Sequence, residues 1–129
     1  GIAGSVEANW CATGRTIQHD FEIYGSKGAL FFSQERLNEL HFFDANDSRN
    51  RRGFKRIEAS PEHDPYGQFC VAPGHQIGFN DLKAIEIAKF SEAIAGITDE
   101  PFNFRAGYRI QHLVEKIQDS SRTKSWLIV

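Results

Sequence analysis

The chain of 129 residues has no methionine and only two cysteines, Cys11 and Cys70. The cysteines lie far apart, and neither belongs to a CxxC or CxxH pattern, which disfavours a disulfide framework or a zinc site. Both have apolar neighbours, so we expect two buried, reduced thiols and a cytoplasmic location. The lack of methionine and a strand-like start at Gly1 predict that the chain is excised from a longer protein.

A positive net charge and long apolar runs are also missing. The formal net charge is −2, so there is no basic field that would neutralise the phosphates of a nucleic acid. The local basic stretch at residues 49–56 is predicted to be a solvated loop between strands. No apolar run approaches the ~18 to 20 residues that cross a bilayer, and no signal-like N-terminus is present. We therefore expect neither nucleic acid nor a membrane as partner.

Signatures of nucleotide binding and of catalysis are absent as well. No GxGxxG turn follows a strand, and the glycine turn at residues 25–28 is too short for a phosphate loop, so it predicts a hairpin. There is no HExxH motif, no histidine pair at i, i+4 and no GxSxG sequence. The chain therefore offers no catalytic, cofactor-binding or metal-binding residue that we would assign.

What the chain does contain suits one domain spanning residues 1–129. Hydrophobic residues make up 40% of it and there are 11 Phe, enough for a core. A period of two residues predicts five antiparallel strands in meander order, with a hairpin between the first two. The predicted strands are residues 5–10, 16–24, 29–32, 39–43 and 53–58, and a further apolar strand is predicted at residues 126–129.

Two helices are predicted after an irregular, proline-rich stretch at residues 60–78. The first is capped by Asn80 and ends at Gly96. The second is indicated by helical spacing of Ile110, Leu113, Val114 and Ile117. The expected fold is α+β: an open, mostly antiparallel β-sheet with two helices packed on one face. The other face then lacks cover, and we expect it to bind a missing domain or a second copy of the chain.

The best candidates for ligand contact lie where the irregular stretch meets the first helix. His75 follows a Pro-Gly pair in a predicted loop, and Gln76 and Asn80 supply hydrogen-bonding amides nearby. The alternative is that the backbone of the loop uses these groups and that Asn80 is only a helix cap.

Other polar residues are expected to serve structure. His19 lies within a predicted strand, His112 lies in the second helix and His63 precedes a proline turn. Arg105 and Arg109, at the start of the second helix, either grip a ligand carboxylate or hold the loop containing Asp99 and Glu100. For these two residues the structural role is favoured.

Three segments, residues 22–30, 72–83 and 104–111, together resemble the C-terminal domain of the Gfo/Idh/MocA family of NAD(P)-dependent sugar and polyol dehydrogenases. The resemblance extends over nearly the whole chain. It implies a preceding N-terminal Rossmann domain that carries the glycine-rich cofactor turn and a catalytic lysine in a Glu-Lys-Pro motif. Neither that motif nor the family's Asp-x-x-x-His pair occurs here, so these parts are expected outside the chain.

The resemblance also implies a function for the whole enzyme, which would move hydride between a sugar-like alcohol and NAD or NADP. This domain would shape the substrate site, with His75, Gln76 and Asn80 in the segment most similar to the family's substrate-side loop, and would build a homo-oligomer through its sheet. Two alternatives stay open. One is a stand-alone α+β binding or assembly module without activity. The other, a small isomerase or hydrolase, needs a buried acid with a perturbed pKa, and the sequence offers no persuasive one.

Overall fold

The computed structural model describes residues 2–99 and 102–129. The chain forms two compact units, the first ending at Leu82 and the second starting at Lys83. An α+β fold with an open antiparallel sheet and two helices is confirmed, while the packing of both helices on one sheet face stays a prediction. The elements are β1 (Asp20–Tyr24), β2 (Gly28–Ser33), a 3-10 turn (Gln34–Arg36), β3 (Glu39–Asp44), β4 (Lys55–Glu58), a second 3-10 turn (Tyr66–Gln68), α1 (Phe79–Ile94) and α2 (Phe104–Thr123).

The four strands form one antiparallel sheet in the order β1-β2-β3-β4, so the predicted meander order is confirmed with four strands instead of five. The turn between β1 and β2 is closed by the N–H of Gly25, which donates to the carbonyl of Gly28 at 2.9 Å. The hairpin predicted at the glycine turn, residues 25–28, is therefore confirmed. The hairpin predicted between residues 5–10 and 16–24 is wrong, because residues 5–10 form no strand. Gly28 is also needed for close strand approach, because a Cβ at this position would lie 2.6 Å from the carbonyl oxygen of Phe43 on β3.

Alternation along the strands gives the sheet two chemically different faces. What we call the apolar face carries Phe21, Ile23, Leu30, Phe32, Leu40, Phe42 and Ile57, with Lys55 on the edge strand opposite Phe42. What we call the mixed face carries Glu22, Tyr24, Phe31, Glu39, His41, Phe43 and Arg56. The apolar face has the composition of a core surface. The mixed face combines paired charges with aromatic residues and Arg56, and aromatic residues and arginine are enriched at protein interfaces.

Two of the predicted strands are wrong, and two others begin later than predicted. Residues 5–10 and 126–129 form no strand, because alternation or apolar character alone supplies no neighbouring strand edge for their backbone groups. The predicted strand at residues 53–58 begins only at Lys55, and the predicted strand at residues 16–24 begins only at Asp20. Before it, the carboxylate of Glu35 accepts hydrogen bonds from both the N–H and the hydroxyl of Thr16, each at 3.4 Å. The Glu35 side chain thus accepts the backbone N–H of Thr16, which a strand would need for bonding to its neighbour.

The two cysteines lie in different surroundings. Cys70 is buried, as predicted, with 2% of its surface exposed. Cys11 is exposed, so the prediction that it is buried is wrong. Its N–H is bonded to the side-chain oxygen of Asn9 at 2.8 Å, within the segment that fails to form a strand. Without a strand, nothing in that segment carries Cys11 into a core.

The ends of α1 follow partly from the sequence. Gly96 lies just beyond the helix with a φ of +70°, so the predicted stop is confirmed. The predicted cap is wrong, because Asn80 is the second residue of α1. Asp81, one residue later, accepts the N–H of Gly78 at 2.6 Å. From that position a carboxylate reaches back to the residue before the helix, and its charge is favourable at a helix N-terminus.

The second helix agrees with its prediction. Asn103 caps it by accepting the N–H groups of Arg105 and Ala106 at 3.0 and 3.2 Å. The apolar positions that indicated a helix all lie within α2. Within residues 2–99 and 102–129, no helix combines the length and the apolar character that crossing a membrane requires.

Candidate functional site

Residues 72–78, which we call the anchored loop, connect the buried Cys70 region to the start of α1. Pro73 and Gly74 lie at the centre of a turn that is closed by the N–H of His75, which donates to the carbonyl of Ala72 at 3.0 Å. Gly74 has a φ of +81°. Proline followed by glycine with positive φ is the sequence preference of a type II turn. The local sequence therefore determines the direction of the chain at His75, the last residue of the turn.

Asn38 holds the other end of the anchored loop with two hydrogen bonds. Its Nδ2 donates to the carbonyl oxygen of Ile77 at 2.9 Å, and the N–H of Ile77 donates to its Oδ1 at 3.0 Å. Ile77 is only 4% exposed, so water competes little for these groups. Asn38 directly precedes β3, and the loop is thereby fixed to the sheet.

Cys70 contacts the loop at a second point. Its thiol donates to the carbonyl oxygen of His75 at 2.9 Å and lies 3.3 Å from that of Ala72. Asn38 and Cys70 thus bond to backbone groups of the loop, while the side chains of His75 and Gln76 are exposed. The loop is held through its main chain and presents its side chains outward.

His75 differs from the other histidines of the chain. Within residues 2–99 and 102–129 its imidazole makes no hydrogen bond, ion pair or ring contact. The other four each contact a neighbouring side chain: His19 with Gln34, His41 with Glu39, His63 with Ser60, and His112 with Tyr108. These contacts fit the structural roles expected for His19, His63 and His112. They leave the ring of His75 as the imidazole available to a ligand in the described part of the chain.

Gln76 and Asn80 share the exposure of His75. Neither carboxamide forms a side-chain hydrogen bond with another described residue. Gln76 adjoins His75, and Asn80 lies in the first turn of α1, so the three residues belong to one stretch at the junction of loop and helix. The side-chain hydrogen bonds to the backbone of this stretch come from Asn38, Cys70 and Asp81. This argues against the alternative that the backbone is held by the side chains of His75, Gln76 and Asn80.

Sequence reasoning missed the role of Asn38. Its partner, Ile77, is 39 residues away, and a single amide ahead of a strand forms part of no periodic pattern. The contact would have been suggested only by asking which polar groups could satisfy the backbone of a buried residue in an irregular loop.

A cleft of about 510 Å³ lies on the mixed face. Glu39 is at its centre, with its carboxylate 3.7 Å from Arg36 and His41 and 3.8 Å from Arg56. At its edge, the hydroxyl of Ser33 holds the pKa of Asp20 below its ordinary value. The arginines and carboxylates of the cleft neutralise one another. We therefore assign it a structural or interface role rather than acid–base chemistry.

A second cleft, of about 490 Å³, lies beside α2 and includes Tyr108, Arg109 and His112. Tyr108 and His112 stack, with ring centroids 6.1 Å apart. The partner loop predicted for the arginines of α2 includes Glu100, which lies outside the described residues. Across residues 2–99 and 102–129, no group of three His, Cys, Asp or Glu side chains is arranged to hold a metal ion.

Comparison with known proteins relates this sheet and these helices to a class of enzymes. The chain is homologous to one part of the NAD-binding oxidoreductases of the Gfo/Idh/MocA type. It is 37% identical to levoglucosan dehydrogenase of Pseudarthrobacter phenanthrenivorans over 130 aligned positions, which cover 100% of this chain and 33% of that protein. The chain thus spans about a third of that relative's length, and it matches no protein-family profile.

Solved structures agree with this relation. A levoglucosan dehydrogenase in complex with NADH and levoglucosan matches with a TM-score of 0.84 and 35% identity, over 90% of this chain and 32% of that one. An oxidoreductase domain protein from Kribbella flavida matches with a TM-score of 0.84 and 36% identity, over 90% of this chain and 31% of that one. Levoglucosan dehydrogenase has also been crystallised with NADH and L-sorbose. The relatives therefore include a dehydrogenase that binds NADH together with levoglucosan or L-sorbose.

Proposed function

We propose that the chain is the C-terminal, substrate-side domain of an NAD(P)-dependent dehydrogenase that acts on a sugar or polyol. The observation that carries the proposal is the unpartnered imidazole of His75 on a loop whose backbone is held by Asn38 and Cys70. The relation to levoglucosan dehydrogenase, which binds NADH and sugars in solved structures, supports the substrate class.

His75, Gln76 and Asn80 are assigned to the sugar. Imidazole and carboxamide groups both donate and accept hydrogen bonds, which matches the hydroxyl groups of a polyol. Because the loop is already held in place, binding requires less ordering of the chain, and the reacting carbon is positioned more reproducibly.

The nicotinamide cofactor is assigned to the N-terminal Rossmann domain of the same protein. The short glycine turn of this chain closes a hairpin between β1 and β2, and it leads into a strand rather than a helix N-terminus, so it does not fit a pyrophosphate. The cofactor supplies the hydride acceptor when it is bound. His75, Gln76 and Asn80 supply contacts to the sugar.

The mixed face of the sheet is assigned to a second copy of the chain. Tyr24 is 72% exposed there, and the mixed face as a whole carries charges of both signs that suit a self-complementary contact. Changing Tyr24 to Lys should therefore shift the full-length protein towards the monomer in sedimentation. Changing Tyr108, 69% exposed on α2, to Lys is the matched control. Equal masses for wild type and both variants contradict this assignment.

The enzymatic proposal is tested on the full-length protein with levoglucosan and L-sorbose, using NAD and NADP in parallel. The expected result is reduction of one nucleotide with at least one of the sugars. The isolated chain should bind neither nucleotide in calorimetry. Micromolar binding to the isolated chain, or no turnover of either sugar by the full-length protein, contradicts the proposal.

The site is tested by His75→Ala, with His19→Ala as the matched control. Loss of one hydrogen bond to a sugar hydroxyl costs ~0.5 to 1.5 kcal/mol, or about 2- to 12-fold in kcat/KM for the sugar. The KM for the nucleotide should stay unchanged. His19 has its partner in Gln34 at 3.0 Å, so its removal should leave sugar kinetics as they are. A fall in melting temperature that accounts for the lost activity makes His75 a structural residue instead.

A further inference from the structure

We propose that Asn38 is a positioning residue for the sugar site, which sets the place of His75 and Gln76 without touching the substrate. The inference rests on the proposed function of the anchored loop. Asn38 bonds to both backbone groups of Ile77, the residue that follows Gln76. It therefore acts through the main chain of the loop.

The paired hydrogen bonds determine the orientation of the backbone at Ile77. A single hydrogen bond leaves a peptide free to swing about it, whereas bonds to the N–H and the C=O of one residue fix its rotation, as between two strands. The type II turn at Gly74 and the thiol of Cys70 hold the other end of the loop. His75 carries the first attachment on its own N–H and C=O, and Gln76 lies between it and Ile77, so the directions of both side chains depend on both attachments.

Removing Asn38 leaves two backbone groups of a buried residue without partners. A buried unsatisfied N–H or C=O is costly, so the loop would shift until water or another group reached Ile77. The same shift moves the groups that contact the sugar. A displacement of about 1 Å at a reacting geometry can reduce rate by up to ~100-fold, although the nucleotide, held by another domain, is unaffected.

The first test is Asn38→Ala in the full-length protein, with levoglucosan or L-sorbose as the varied substrate. The KM for the sugar should rise by about 5- to 20-fold while the KM for NAD changes by less than about twofold. The matched control is Asn103→Ala, which also removes two bonds from an asparagine to backbone groups, at the start of α2. It should lower the melting temperature to a similar extent and leave the KM for the sugar unchanged.

The second test is Asn38→Asp, which gives a pH signature that general destabilisation does not. When ionised, the new carboxylate still accepts the N–H of Ile77 but places its second oxygen against the carbonyl of Ile77. Protonation supplies an O–H donor and restores both bonds, and the unfavourable contact raises the pKa of the carboxyl so that this occurs at a higher pH. The ratio of the variant's KM for the sugar to that of the wild type should therefore fall as the pH is lowered from about 8 to about 6.

The third test is the double variant of Asn38→Ala and His75→Ala. If Asn38 acts through His75, the two losses in kcat/KM should combine to less than their product. Independent, fully multiplicative losses overturn the positioning role. It is also overturned if Asn38→Ala leaves the KM for the sugar unchanged, or changes it no more than Asn103→Ala does, while His75→Ala is impaired. If His75→Ala is fully active, or neither sugar is turned over, the proposed function fails, and the inference fails with it.

Discussion

The anchored loop and the N-terminal segment, residues 2–19, both lack helices and strands, yet they are held in very different ways. The loop is attached at two points by side chains distant in sequence or buried beneath it, Asn38 and Cys70. The N-terminal segment is exposed along nearly its whole length, and Val6 and Trp10 are 90% and 102% exposed. Irregular backbone alone therefore says little about how well a segment is fixed.

The difference lies in where the backbone hydrogen bonds go. In the loop, Ile77 and His75 have side-chain partners that are themselves wholly or partly buried. In the N-terminal segment, the side chains that accept backbone N–H groups are those of Asn9 and Glu35, at exposed positions. Hydrogen bonds shielded from water are costly to break, because the opened groups must be satisfied again. A loop held in this way is suited to present a ligand-binding side chain, and an exposed segment without such contacts is not.

The largest effect expected from this comparison is in the reactivity of the two cysteines. Cys11 is exposed and Cys70 is 2% exposed, so alkylation of Cys70 requires the loop to open. Local opening that costs ~3 kcal/mol slows the reaction by roughly 100-fold. The rates at the two residues can be compared in the native full-length protein treated with iodoacetamide, by mass spectrometry of the two peptides.

The matching control is the same reaction in denaturant, where both thiols should react at similar rates. Asn38→Ala should reduce the difference between the native alkylation rates of Cys11 and Cys70, because it removes one attachment of the loop. Equal native rates at Cys11 and Cys70 would show that the loop opens freely, and the contrast between the two segments would then be lost.

The helices and the central strands were the parts that the sequence predicted well. The 3.6-residue spacing of Ile110, Leu113 and Ile117 places them within α2, and the turn from Gly25 to Gly28 specifies the β1–β2 hairpin. In both cases the determining interactions are local. Spacing marks one face of a helix, and two glycines permit a tight turn, without reference to the rest of the chain.

The errors arise where a distant partner decides the outcome. Residues 5–10 alternate like a strand, and residues 126–129 are apolar like a buried one, but a strand also needs an edge to bond to. The same limit applies to the site. The exposed positions of His75, Gln76 and Asn80 follow from the local turn and helix start, whereas the attachment of Ile77 to Asn38 joins residues 39 apart and is invisible to local patterns.

The smaller effect expected from the comparison concerns two glycines with positive φ, Gly74 at +81° in the loop and Gly14 at +91° in the N-terminal segment. Neither has a neighbouring atom within 4 Å of an added Cβ, so alanine at either position introduces backbone strain and no clash. In the loop that strain cannot relax without breaking the bonds of His75 and Ile77, and Gly74→Ala should lower the free energy of unfolding by about 1 kcal/mol. Gly14→Ala should lower the free energy of unfolding by clearly less, because the segment around it can change conformation with few hydrogen bonds lost. Chemical denaturation of the two variants beside wild type measures both values, and a loss at Gly14 equal to that at Gly74 would mean that the N-terminal segment is held as firmly as the loop.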